Sequence, residues 1–140
     1  MKRLFLVLFF ISACSGAISV KQQIDRDDRV AFESLHFFQL TESALYHANA
    51  PWPSNAQHQQ IGAKLSQAYT LVIDVANGGL ALKPGAKASD QLLTEAATLA
   101  KLVGDIAELA KPAPPNVQAQ AAKAKVDTTA LVNSVTGVKP

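Results

Sequence analysis

The sequence predicts an all-α protein: an up-and-down antiparallel helical bundle of three firm helices and a weaker fourth. Three observations predict it. Apolar residues recur at alternating spacings of four and three in successive stretches, which is the repeat of one buried stripe on an α-helix. Clusters of proline and glycine separate those stretches. No segment sustains the period-two alternation of a half-buried strand.

The first helix is predicted from near Gln22 to near Ala48. Ile24, Ala31, Leu35, Phe38 and Leu45 form its stripe, and Phe37, Leu40 and Ala44 widen the apolar face. Asp28 and Glu42 fall on the same stripe and make it imperfect. Asp25, Asp27 and Asp28 sit in the early turns, where carboxylates favour the helix dipole. Pro51 and Pro53 end the helix.

The second start is the clearest signal. Ser54-Asn55-Ala56-Gln57 fits a capping box, in which Ser54 accepts from the amide three residues on and Gln57 reaches back. Ile61, Leu65, Ala68, Val72 and Val75 then form one stripe. Asn77-Gly78-Gly79 reads as a C-terminal stop, and Lys83-Pro84-Gly85 as a turn. Ser89 is placed to cap a third helix running to about Lys111, with Leu92, Ala96, Leu99, Val103, Ile106 and Ala110 inward. Pro112, Pro114 and Pro115 terminate it.

Asn116 is the expected cap of the fourth helix, whose stripe is Val117, Ala121, Ala124, Leu131 and Val135, with Thr128 in the gap. Small core side chains and the poor helix formers Thr128, Thr129 and Asn133 make it the weaker element. Leu131 is accordingly expected to matter less than Leu65 or Leu99. Connections of roughly 5–12 residues between helices of roughly 20 favour antiparallel neighbours.

The N-terminus carries a different pattern. Lys2 and Arg3 precede the unbroken apolar run from Leu4 to Ile11, and Ser12, Ala13, Ser15, Gly16 and Ala17 are small. Charge, apolar core and small residues in that order are the layout of a secretory signal peptide. A membrane-spanning helix needs about 20 apolar residues, and this run is far shorter. Two cut sites compete. Ser15-Gly16-Ala17 suits ordinary signal peptidase, with cleavage before Ile18. The other lies between Ala13 and Cys14. Ile11-Ser12-Ala13-Cys14 resembles the bacterial lipobox: an aliphatic residue, two small residues and a cysteine. Leucine is commoner than isoleucine in the first slot. The resemblance covers the signal segment alone, because lipoproteins share no fold, and the mature domain is placed in no family.

That resemblance implies that the thiol of Cys14 is acylated, that the chain is cut before it, and that palmitate-type chains then hold the protein to a lipid bilayer. Residue Ser15, rather than aspartate, after the cysteine implies the outer membrane, facing the periplasm. Cys14 is the only cysteine in the chain, so no intrachain disulfide exists. A thiol consumed by lipid accounts for a lone cysteine in an exported protein. The domain expectation is a signal peptide over 1–13, a lipid-proximal tether over 14–21, the bundle over 22–136 and a frayed tail over 137–140.

The formal charge of +2 overstates the basic character. Removal of Lys2 and Arg3 with the signal leaves eleven basic against eleven acidic residues. No clustered basic excess marks a nucleic-acid footprint, so no nucleic-acid partner is expected. What remains, about 125 residues, suffices for one domain with a modest core.

Chemistry-bearing constellations are sparse. His36 and His47, eleven residues apart, share a helix face but stand about 16 Å apart along it. His47 and His58 could meet across the first turn, yet two histidines fall short of the three or four ligands of a zinc site. Glu33 to His36 gives one Glu-x-x-His step where di-iron bundles use two. There is no Cys-x-x-Cys-His, and the sole methionine is Met1. No catalytic residue, metal or cofactor is therefore expected. Tyr46 and Trp52, within ALYHANAPWPSN, put two amphipathic aromatics at the tip of the first hairpin. They are the candidate contact for an unidentified envelope protein, against the plainer role of stapling the loop to the bundle.

The expected function is that of an exported bacterial or phage-encoded envelope lipoprotein, a non-enzymatic structural or interaction module. The alternative is a soluble periplasmic bundle that binds a small apolar ligand after cleavage near Ala17.

Overall fold

The computed structural model describes residues 18–137, which form four helices: α1 (Val20–His47), α2 (Asn55–Ala81), α3 (Asp90–Leu109) and α4 (Pro115–Thr136). The signal segment, the cut between Ala13 and Cys14, and the last residues of the tail lie outside the described residues. Each helix packs on its neighbours in sequence, α4 closes the ring against α1, and α2 meets α4 across the diagonal. This is the up-and-down bundle that the spacing predicts.

The helix starts follow local chemistry. Ser19 Oγ accepts from the Gln22 amide at 3.2 Å, and Gln22 Oε1 accepts from the Ser19 amide at 3.0 Å. That reciprocal pair starts α1 at Val20, so the last two residues of the expected tether are already helical. The three early aspartates lie beyond the first turn, which contains no acidic residue. Ser54 with Gln57 forms the same box at α2, and Ser89 caps α3 by accepting from the Leu92 amide.

Two expected boundaries move. The Asn77-Gly78-Gly79 stop is overridden, and α2 continues to Ala81. Gly78 and Gly79 are there for close approach: a Cβ on Gly79 would stand 2.6 Å from Val135 Cγ2 and 3.1 Å from Ile24 Cδ1, and one on Gly78 would stand 2.7 Å from Leu92 Cδ1. The start of α4 is set by Pro115 in its first turn, with Pro114 in the cap position and no side-chain cap from Asn116. Proline suits that place, because its missing N–H would have no intrahelical partner there.

The core is the four stripes brought face to face. Phe38, Leu35, Ile61, Leu65, Leu99 and Leu131 are each fully buried. Helix α4 is a full member: Leu131 is as buried as Leu65, and Ser134 Oγ donates to Asp27 Oδ2 at 2.6 Å, tying α4 to α1. Its weaker chemistry shows elsewhere. Thr128 is 1% exposed and its hydroxyl has no hydrogen-bond partner among the described residues.

Candidate functional site

The hairpin tip joining α1 to α2 carries an internal polar cluster. Glu42 sits on the buried stripe of α1, 2% exposed. His58, in the first turn of α2 after the capping box, points back at it, with 2.8 Å between Nδ1 and Glu42 Oε1. The Tyr46 ring lies flat on the His58 ring, with centroids 3.8 Å apart and planes 7° from parallel. Tyr46 stands one turn after Glu42, so the i, i+4 geometry of α1 puts carboxylate and phenol ring on the same face, toward His58. Taking a carboxylate out of water is costly unless it is paired and hydrogen-bonded, and His58 supplies the pairing. The two histidines of the turn do not form a pair. Instead His47 is exposed, its ring edge-on to Tyr46 at 5.5 Å.

Trp52 turns inward, 5% exposed, and its indole N–H donates to the carbonyl of Leu109 at 3.2 Å. Leu109 ends α3, where carbonyls lack intrahelical donors. The side chain thus staples the first loop onto the C-terminus of α3. Of the two aromatics expected to meet a partner, Tyr46 keeps partial exposure and Trp52 keeps almost none. Among the described residues no group of three or more His, Cys, Asp or Glu is placed to hold a metal ion. Glu33 and His36 are both exposed on α1.

The opposite end of the bundle is open. The start of α1, the α2–α3 connection and the end of α4 enclose a cleft of about 960 Å³. Val20, Ile24, Leu82, Leu93 and Val135 give it apolar walls, and Lys21, Lys83 and Lys87 stand at its rim with Asp90. A second groove of about 790 Å³ adjoins it along α1 and α4, sharing Val20, with Lys125 and Val126 on its side. Nothing in the sequence pattern foretold this end. Its residues come from three distant segments.

Three side chains on the helix faces have displaced ionisation. Two lysines hold Asp105 below the usual carboxylate range: Lys64 through a 2.8 Å hydrogen bond, and Lys101 more weakly. Burial, with Asp25 nearby, raises Asp28. Burial pushes the Tyr69 phenol up to about 12. The Tyr69 hydroxyl donates to Gln39 Oε1 at 2.8 Å, and its ring packs on Phe32 with centroids 4.9 Å apart. In the unfolded chain the phenol ionises near its ordinary value of 10.0, so between pH 10 and about 12 the unfolded state loses this proton before the folded state does. Stability from this group is full below pH 10 and declines as pH rises through that window. The decline should be shallower in Tyr69→Phe than in the unmodified protein when urea midpoints are compared at pH 9, 10.5 and 11.5. Equal slopes would refute the buried phenol.

Among the described residues no helix is long and apolar enough to cross a membrane. No protein-family model matches this chain, and neither a curated protein nor a solved structure does so.

Proposed function

We propose that this chain is an exported envelope lipoprotein, bacterial or phage-encoded, whose four-helix bundle serves as a non-enzymatic structural or interaction module held at a membrane by acylated Cys14. The observation that carries the reading is Ile11-Ser12-Ala13-Cys14 directly after the apolar run from Leu4 to Ile11, with no other cysteine in the chain. Cys14 precedes Val20, the first residue of α1, by six residues, a reach of at most about 20 Å when extended. Such a tether keeps the bundle close to the bilayer surface. The lipid does the holding: one acyl chain binds marginally, and two or three anchor stably. The residue after the cysteine, Ser15, favours the outer membrane and a periplasm-facing bundle. An unidentified envelope protein is the partner that such a module serves, and Tyr46 is the partly exposed member of its candidate contact.

A second reading is favoured by the open cleft. If cleavage falls after Ala17, a soluble periplasmic bundle results, and the apolar walls of Ile24, Leu82 and Val135 are where a small apolar ligand would sit.

One measurement separates the two. Intact-mass analysis of protein recovered from a bacterial envelope should give a chain beginning at Cys14 with diacylglyceryl and fatty acyl additions. Cys14→Ser should remove the lipid mass and leave the protein uncut or soluble. A mature chain beginning at an unmodified Ile18 would refute the anchor and favour the ligand-binding bundle.

A further inference from the structure

We infer that the end of the bundle holding the cleft is a docking face for an anionic phospholipid surface, so that the bundle stands upright on the bilayer that its lipid enters. This inference rests on the anchored reading.

Three features of this end point the same way. The first is its place in the chain: α1 begins here, so the tether from Cys14 arrives here and not at the hairpin tip. The second is charge. Of the eight lysines in the described residues, four are in ion pairs: Lys64 and Lys101 with Asp105, Lys111 with Glu108, and Lys123 with Asp127. The other four, Lys21, Lys83, Lys87 and Lys125, have no ion-pair partner among the described residues; Lys21, Lys83 and Lys87 line the cleft at this end, and Lys125 lines the adjoining groove midway along α4. Asp90 is the one carboxylate lining either groove. The third is apolar surface between these cations. Ile18, Val20 and Leu93 are 56%, 67% and 41% exposed.

Exposed aliphatic side chains with lysines at the same end match the interface of a bilayer, with apolar groups at the acyl boundary and ammonium groups on phosphates. The lysine stem allows both at once, since its methylenes lie on apolar surface while the head stays in water. A protein partner would need its own acidic rim. The bilayer is already present, within the length of the tether. The mature chain has no net basic excess, so the effect comes from the three unpaired lysines gathered at this end, Lys21, Lys83 and Lys87. Each lysine near an anionic surface adds about fivefold to partitioning, and three together on the order of a hundredfold.

The test uses the lipidated full-length product. Because lipid consumes Cys14, an introduced cysteine is the sole free thiol. Ala86→Cys, in the α2–α3 connection, and Ala48→Cys, at the hairpin tip, are labelled separately with a fluorophore. Each protein is reconstituted in vesicles of phosphatidylcholine with about one-third phosphatidylglycerol, or of phosphatidylcholine alone, carrying a headgroup-level quencher lipid. Docking predicts strong quenching at position 86 and little at 48. Quenching at 86 should fall toward the level at 48 in phosphatidylcholine alone, in high salt, and in Lys21→Glu/Lys83→Glu/Lys87→Glu, whose fold is checked by circular dichroism. If the protein floats with vesicles but 86 is quenched no more than 48, docking is overturned while the anchor stands. Quenching at 86 that ignores phosphatidylglycerol and salt also overturns it, and points to the protein's own acyl chain folded into the cleft. Failure to float overturns the anchor and the docking face together.

Discussion

Replacing His58 by alanine is expected to destabilise the bundle by about 1–3 kcal/mol, the usual cost of leaving a buried polar group without its hydrogen-bond partner. Glu42 is the reason. Its side chain is 3% exposed, and His58 Nδ1 is its hydrogen-bond partner among the described residues. Without the imidazole the carboxylate stays in the core with no donor, and the Tyr46 ring loses the surface it stacks on. Native domains are stable by only about 5–15 kcal/mol in all, so that loss is a substantial share. The converse change should be mild. Glu42→Met fills similar volume with apolar atoms and removes the need for a partner, and replacing a buried polar group by an apolar one of similar shape can be nearly neutral or stabilising. Glu42→Met with His58→Ala should therefore recover most of the loss, leaving the stacking contact of about 0.5–1.5 kcal/mol. Urea melts of the four proteins at neutral pH give the cycle. If His58→Ala costs less than about 1 kcal/mol, or if the double variant is no better than His58→Ala alone, the pairing contributes little and the cluster is not what holds the hairpin tip.

The sequence disclosed that Glu42 lies on a core stripe but not what answers it there. Stripe position is local, fixed by the 3.6-residue repeat of one helix, so Ile24, Leu35, Phe38, Ile61, Leu65 and Leu99 could all be read as inward before any packing was known. Partnership is not local. His58 meets Glu42 only because the first loop reverses the chain at a particular distance and rotation. The capping boxes make the same point in reverse. Ser54-Gln57 was legible because donor and acceptor are three residues apart, and Ser19-Gln22 carries the same signal. Gly78-Gly79 misled because a glycine pair has two physical uses, a left-handed stop or a place where another helix comes close. Only the positions of Val135, Ile24 and Leu92 choose between them. Trp52 was read as either a partner contact or a staple, and its bond to Leu109 joins segments that sequence spacing does not relate. The cleft at the anchor end was illegible for the same reason, being assembled from the beginning of α1, the middle loop and the end of α4.

Leu131→Ala is expected to cost about 2–5 kcal/mol, in the same range as Leu65→Ala and Leu99→Ala. Propensity and composition argue for a smaller cost, since α4 is built of alanine, threonine and valine and its hydroxyl at Thr128 is unsatisfied. Small neighbours also leave fewer contacts to lose. Burial argues the other way and decides it. Leu131 is 0% exposed, against 1% for Leu65 and 0% for Leu99, so the same methyl groups are withdrawn from water at all three sites. The site is also poorly placed to collapse. On one side Val135 presses against Gly79, where α2 and α4 come close. On the other, Asp27 accepts from both Ser134 and Arg26, fixing the distance of α4 from α1. A helix pinned on both sides keeps the cavity that truncation opens, and residual cavity volume sets the upper part of the cost. Helix propensity acts on an isolated helix at a few tenths of a kcal/mol per residue, and such terms are outweighed once a large side chain is sealed in a shared core. Melting temperatures and urea midpoints of the three single variants should fall together. A Leu131→Ala cost of about 1 kcal/mol or less, beside large losses at Leu65 and Leu99, would mean that α4 opens independently of the other three helices and that propensity governs it after all.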